Sequence, residues 1–164
     1  MKVYTAPESV GDLDEPAGVF LAGSIEMNTA EDWQLKVIQE LDQYPVALFN
    51  PRRSNWDSSW VQSIDNPEFK GQVTWELDLL ERADIVFFYF DPKTKSPITL
   101  MELGFISGLR STKPVIVVCA DGFWRQGNVE IMCERNELLF VKTLDEGIHV
   151  LKQAICDYTR QLAH

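Results

Sequence analysis

Histidine, cysteine and basic residues are scarce in this chain of 164 residues, and each shortage closes off a class of chemistry. The three cysteines, Cys119, Cys133 and Cys156, are odd in number and lack C-x-x-C spacing, so neither a disulfide framework nor a zinc site is suggested. The two histidines, His149 and His164, stand on or beyond the last helical stretch. Two separated imidazoles make neither a metal site nor a convincing catalytic base, and both read as surface residues. No metal and no other cofactor is expected. Lys and Arg number 15 against 25 Asp and Glu, for a net charge of −10. That balance opposes binding a nucleic-acid polymer, where affinity comes largely from neutralised phosphates. No apolar run approaches the roughly 20 residues that cross a bilayer, and nothing near Met1 has the charged, apolar, small-residue order of a leader. The expectation is a cytoplasmic protein with no membrane partner, acting on a small molecule.

What is present is regular. Apolar residues make up 45% of the chain, enough for one core, and the reading is a single domain over 1–164. Short β-branched or aromatic runs alternate with amphipathic stretches: Val19–Gly23, Val46–Phe49, Ile85–Phe90, Val115–Cys119 and Leu138–Val141 read as strands. Thr29 and Asp32 are candidate caps for the first helix, Glu68–Arg82 and Ile98–Leu109 read as helices, and a final helix begins near Leu144. Met1–Tyr4 reads as a candidate edge strand, and Ala6–Gly18 as a loop. Strands alternating with helices predict an α/β fold, a three-layer doubly wound sheet of five parallel strands in the flavodoxin-like order 2-1-3-4-5. In such sheets ligands bind beyond the carboxyl ends of the strands at the switch point. Here that location gathers Gly23-Ser24, the loop from Asp91 to Ser96 and the start of the helix carrying Glu102.

Glu102 is a carboxylate amid apolar residues and glycine, in Met101-Glu102-Leu103-Gly104. It is either a reacting group or a first-turn residue facing the helix dipole. Glu76, in Trp75-Glu76, is the second carboxylate, with a solvated helix face as its alternative. Asp84 reads as a residue leading into a strand. Glycosidic cleavage passes through a cation-like transition state, which calls for an anion at the anomeric carbon and a proton for the leaving group. Two carboxylates in different environments can divide those tasks.

The segments Phe20-Leu21-Ala22-Gly23-Ser24-Ile25, Asn50-Pro51-Arg52-Arg53, Trp75-Glu76 with Ala83-Asp84-Ile85-Val86, and Met101-Glu102-Leu103-Gly104 together resemble the nucleoside 2-deoxyribosyltransferase superfamily. The likeness is greatest to its nucleoside 2-deoxyribosyltransferase-like branch of bacteria and phages. It covers a core of about 18–145, leaving 1–17 as an extension and 144–164 as a terminal helix. The resemblance implies a flavodoxin-like core and Glu102 as the nucleophile on the anomeric carbon, with a covalent glycosyl-enzyme resolved by a second base or by water. It also implies a homo-oligomer in which Asn128 reaches a neighbouring subunit's site; the alternative is that Asn128 caps the helix that follows. Classical transferases have a tyrosine at Phe20, an aspartate at Ser96 and an aspartate at Glu76. The related deoxynucleoside 5′-monophosphate N-glycosidases have a serine at Ser96 and a Gly-Ser-Ile segment whose hydroxyls contact phosphate, as Gly23-Ser24-Ile25 does in form, but follow it with arginine where this chain has Glu26.

The remaining candidates are recognition groups. Arg52 and Arg53 suit a phosphate or sugar, or else face solvent. Trp56, Trp60 and Trp75 suit stacking on a base, or else pack locally. Phe20, Gly23, Ser24, Asp91 and Ser96 complete the expected lining, and Lys93 and Lys95 lend the loop positive charge. Three functions follow: cleavage of the N-glycosidic bond of a (deoxy)nucleoside or nucleotide, with transfer to a base or to water; a nucleotide-sensing module on the same fold; or a flavin-binding domain, for which Gly23-Ser24-Ile25-Glu26-Met27 is a thin phosphate loop.

Overall fold

The computed structural model describes residues 1–25, 32–53, 57, 59–109 and 112–163. The expected alternation appears as strands β1 (Lys2–Thr5), β2 (Ala17–Gly23), β3 (Val46–Asn50), β4 (Ile85–Phe90), β5 (Val115–Cys119) and β6 (Leu139–Val141). The helices are α1 (Trp33–Glu40), α2 (Pro67–Arg82), α3 (Pro97–Gly108), α4 (Gln126–Arg135) and α5 (Leu144–Leu162). The strands form one parallel sheet in the order β1-β3-β2-β4-β5-β6. Within it, β2 to β6 keep the 2-1-3-4-5 arrangement expected of the core. The correction is to the count: the sheet has six strands rather than five. Lys2–Thr5 runs beside β3 from Lys2↔Ala47 to Thr5↔Asn50, and Tyr4 is buried with its ring 6.0 Å from that of Phe49. Burying that ring ties a four-residue strand to the sheet edge.

Alternation along β4 divides the core into two layers. Val86, Phe88 and Phe90 point toward α2, α3 and α4, whereas Ile85, Phe87 and Tyr89 point toward α1 and α5. On the second face α5 comes close enough that a Cβ on Gly147 would lie 2.3 Å from Cγ2 of Val118. Helix starts follow capping chemistry. Asp32 caps α1 by accepting the amide of Leu35, while Thr29 lies outside the described residues. Asn66 accepts from Phe69 N–H at 3.1 Å with Pro67 as the first residue of α2, and Thr143 and Glu146 form a reciprocal capping box on α5. Among the described residues no helix is long and apolar enough to cross a membrane.

At the amino ends of the strands Asp84 is fully engaged. One carboxylate oxygen accepts from Gly18 N–H at 2.7 Å and the other from the Tyr158 hydroxyl at 2.5 Å. Lys113 donates to the carbonyls of Leu80, Glu81 and Ala83, closing the end of α2. The opposite, carboxyl ends of β2 and β4 carry the candidate site.

Candidate active site

The two carboxylates singled out in the sequence come together on neighbouring helices. Glu102 is 8% exposed, and α3 begins at Pro97, so Glu102 lies past the first turn, which carries no acidic residue. The dipole effect fades within one turn, so that alternative does not account for the residue. Burial, and then the charge of Glu76, push the Glu102 carboxyl up to about 8 from an ordinary 4.5. No hydrogen bond among the described residues offsets this. Glu102 therefore holds its proton at neutral pH in the free site.

Glu76 differs in one respect. Burial raises it too, but a hydrogen bond from Gln72 Nε2 to Glu76 Oε1, at 2.6 Å, works in the opposite direction. The solvated-face alternative is displaced, whereas Asp78 and Glu81 on the same helix are exposed as that alternative requires. Gln72 is a residue that sequence reasoning missed. It is buried on the inner stripe of α2, four positions before Glu76. The signal was a polar side chain on that stripe at i−4 from a candidate carboxylate.

Arg52 and Arg53 follow β3 in an irregular stretch and serve opposite faces of the sheet. Arg52 Nη1 lies 3.4 Å from Gln34 Oε1 and 3.8 Å from Asp32 on the α1 side. Arg53 Nη1 donates to Gln72 Oε1 at 3.2 Å, and its guanidinium lies 5.1 Å from the centre of the Trp60 ring. Trp60 thus packs on Arg53; Trp56 is outside the described residues, as are Glu26 and His164. His149 is exposed on α5.

Ser24, Asp91 and Ser96 also meet, joined by Thr94, which was not singled out. The hydroxyls of Ser24, Thr94 and Ser96 form a closed triangle, with Ser24–Ser96 at 2.5 Å, Ser24–Thr94 at 2.8 Å and Thr94–Ser96 at 2.7 Å. The Asp91 amide donates to Ser24 Oγ at 3.0 Å, and the Asp91 carboxylate accepts from the Lys93 amide. All four residues are buried. The triangle satisfies its own hydroxyls and fixes the turn into α3, where Ser96 adopts a left-handed φ of 45°. Such a conformation costs roughly 1–2 kcal/mol in a non-glycine residue. Gly23 permits the close approach of β2 to β4 at this point, since a Cβ there would lie 2.5 Å from the Tyr89 carbonyl.

Phe20 and Trp75 stack in tilted fashion at 6.4 Å, with Phe20 fully buried beneath. Trp75 donates its indole N–H to the Glu8 carbonyl, so the extension closes over α2. Asn128 is exposed on α4 and lines a groove of about 310 Å³ between α3 and α4, with Leu100, Leu103, Gly104 and Trp124; that lining includes neither carboxylate.

A parallel sheet with a carboxylate pair at the β2/β4 switch point, one partner hydrogen-bonded and one not, defines a class of α/β proteins equipped for acid–base or nucleophilic chemistry on a small ligand. The sequence profile of the nucleoside 2-deoxyribosyltransferase-like family matches residues 16–123, and the chain belongs to that family. The match takes in every candidate site residue except Asn128. A solved structure of a conserved protein from Enterococcus faecalis V583 has the same fold, with a TM-score of 0.59 at 13% identity, covering 84% of this chain and 98% of that one. No curated protein matches this sequence.

Proposed function

We propose that the protein cleaves the N-glycosidic bond of a nucleoside or nucleotide through a covalent intermediate on Glu102. One observation carries this: a buried carboxyl group, Glu102, and a half-buried one, Glu76, lie within electrostatic reach of each other, and among the described residues Glu76 is hydrogen-bonded while Glu102 is not. The free site keeps a proton on Glu102, and the reaction starts once that proton has passed to Glu76. With that proton on Glu76, Glu102 is an anion and Glu76 an acid. A Glu102 oxygen attacks the anomeric carbon, the C–N bond breaks, and its electron pair stays on the base nitrogen, which takes the proton from Glu76. Water or a second base then attacks the glycosyl ester. Glu76 accepts the incoming proton, and Glu102 leaves as a carboxylate. Arg52 and Trp75 are the proposed ligand contacts on the rim, and the hydroxyl triangle of Ser24, Thr94 and Ser96 holds the start of α3 beneath it.

The assay is chromatographic detection of free base from a mixed panel of nucleosides and 5′-nucleotides, with and without an acceptor base. Free base without acceptor indicates hydrolysis, and a new nucleoside only with acceptor indicates transfer. No base release across the panel overturns the proposal.

One observation favours a second reading, a nucleotide-binding module: Glu102 carries its proton in the free site, and Phe20, lacking a polar atom, offers it no hydrogen bond. Saturable nucleotide binding without turnover would select it. We also infer self-association, supported by the exposed Ile98 and Met101 on α3, Ile131 on α4 and Trp124 at the α3–α4 groove that Asn128 lines.

A further inference from the structure

We propose that Gln72 is the positioning residue of the carboxylate pair: its amide, oriented by Arg53 and the Pro51 carbonyl, clamps Glu76 opposite Glu102 and ties it to the connection between β3 and α2. The functional part of this inference rests on the glycosidic reading above, whereas the clamp itself does not.

The argument is one of donors and acceptors. Arg53 has only donors, so its Nη1, 3.2 Å away, must face the amide oxygen of Gln72. The Pro51 carbonyl is only an acceptor, so at 3.2 Å it must face the amide nitrogen. These two neighbours fix the orientation of the amide without reference to Glu76. The remaining hydrogen on Nε2 then points to Glu76 Oε1 at 2.6 Å, and all three of these bonds are made by a side chain 2% exposed. A bond of that length to a buried amide holds the carboxylate in one rotamer and favours its charged form, the base of the second step, while working against the acid of the first, so what the clamp supplies to catalysis is the fixed rotamer rather than the charge state.

The charged groups facing Glu76 are Glu102 from α3 and, through Gln72, Arg53 from the segment after β3. Glu8, whose carbonyl anchors the adjacent Trp75, turns its own carboxylate back to the Thr5 amide. Arg53 therefore acts on the pair at one remove. Because its guanidinium also sits over Trp60, one chain of contacts runs from Trp60 through Arg53 and Gln72 to Glu76, whose charge acts on Glu102. Gln72 touches no reacting atom in this arrangement; it acts through Glu76.

Two measurements test this on the full-length protein. The first is pH titration of the glutamate side-chain carboxyl carbons by NMR, with Glu76 and Glu102 assigned from Glu76→Gln and Glu102→Gln. In Gln72→Met, which keeps the volume and removes the amide, the Glu76 midpoint rises and the Glu102 midpoint falls, because a protonated Glu76 no longer repels charge from its neighbour. Arg53→Met shifts both in the same directions by less, and Arg53→Lys, which keeps a donor, restores them. Midpoints that stay put in both Gln72→Met and Arg53→Met overturn the clamp. If Gln72→Met fails to fold, as judged by its melting curve, the Arg53 pair decides. The second is base release, where Gln72→Met is expected to lower kcat by about 10- to 100-fold with KM changed less than about threefold. Loss confined to KM overturns the positioning role. A wild-type protein that releases no base, yet shows the midpoint shifts, sinks the glycosidic reading and leaves the clamp standing.

Discussion

Asp84 and Glu102 are carboxylates at opposite ends of the same parallel core, and they are treated in opposite ways. Asp84, leading into β4, spends both oxygens on the Gly18 amide and the Tyr158 hydroxyl and joins β2, β4 and α5. Glu102, beyond the carboxyl end of β4, is buried and pushed up to about 8, with no hydrogen bond among the described residues to relieve it. A fold that could satisfy one carboxylate so completely has left the other costly. The difference supports the proposed division between a carboxylate that serves stability and one kept for a ligand.

The largest effect that would break this comparison is expected from Glu102→Gln. If Glu102 is the nucleophile, base release falls by roughly 10³-fold or more, as for loss of a covalent catalyst. Stability moves the other way. The folded-state midpoint of Glu102 lies above its unfolded value, so the stability it contributes is full below about 4.5 and is lost as pH rises through about 8. The resulting penalty at alkaline pH is on the order of a few kcal/mol. Glu102→Gln therefore melts higher than the wild type at pH 8.5, with a smaller gap at pH 5. A variant that lost activity and also melted lower at both pH values would place Glu102 with Asp84, among the structural carboxylates.

The pH profile is the next largest. The reaction needs one proton in the pair, so kcat/KM falls about tenfold per unit once Glu102 titrates in the free protein, near pH 8. On the acid side it falls as Glu76 takes a second proton, above the usual carboxylate range because burial raises it. As the two groups interact, both limbs belong to the pair. A profile flat through pH 9 would sink the one-proton requirement.

How much of this contrast was legible in the sequence depends on how far each interaction reaches. The alternation of strands and helices follows from local runs, and the gathering of Gly23-Ser24, the 91–96 loop and the helix of Glu102 follows from the rule about where parallel sheets bind ligands, whereas the pairing of Glu76 with Glu102 rests on the chemistry of glycosidic cleavage and on the family resemblance. β1 was only a candidate, because four residues carry too little periodicity; its place is decided by Tyr4 finding Phe49 across the sheet edge. Gln72 and Thr94 were overlooked for another reason. Their roles depend on Arg53, Pro51 and Ser24, which lie 19, 21 and 70 residues away in sequence. The pattern puts Gln72 on the inner stripe four positions before Glu76, but it does not show the partners that orient its amide. Phe20 was expected to line the ligand site, and its ring is instead fully enclosed under Trp75, a matter of sheet face that depended on knowing where α2 packs.

Removing Asp84 tests the other half of the comparison. Asp84→Ala leaves the Gly18 amide and the Tyr158 hydroxyl without a charged partner, and should cost about 3 kcal/mol of unfolding free energy. Denaturant titration measures that loss. The rate of base release per folded molecule should be unchanged, because the lesion lies at the far end of the strands. A change in kcat without a change in stability would reverse the roles assigned to the two ends.

The smallest effect sharpens the comparison within the ligand-facing end itself, where the triangle of Ser24, Thr94 and Ser96 shows polar groups satisfied by each other beside a carboxyl that is not. Ser96→Ala removes its hydrogen bonds but keeps a Cβ at φ 45°, for a loss of about 1–2 kcal/mol. Ser96→Gly removes the same bonds and also relieves the left-handed strain, recovering roughly 1 kcal/mol of that loss. The difference between the two variants, read from matched denaturation curves, isolates the strain in the turn that launches α3. Equal stabilities for the two would mean that the turn relaxes once the triangle is broken, and that the triangle, rather than the helix start, imposes the conformation on Ser96.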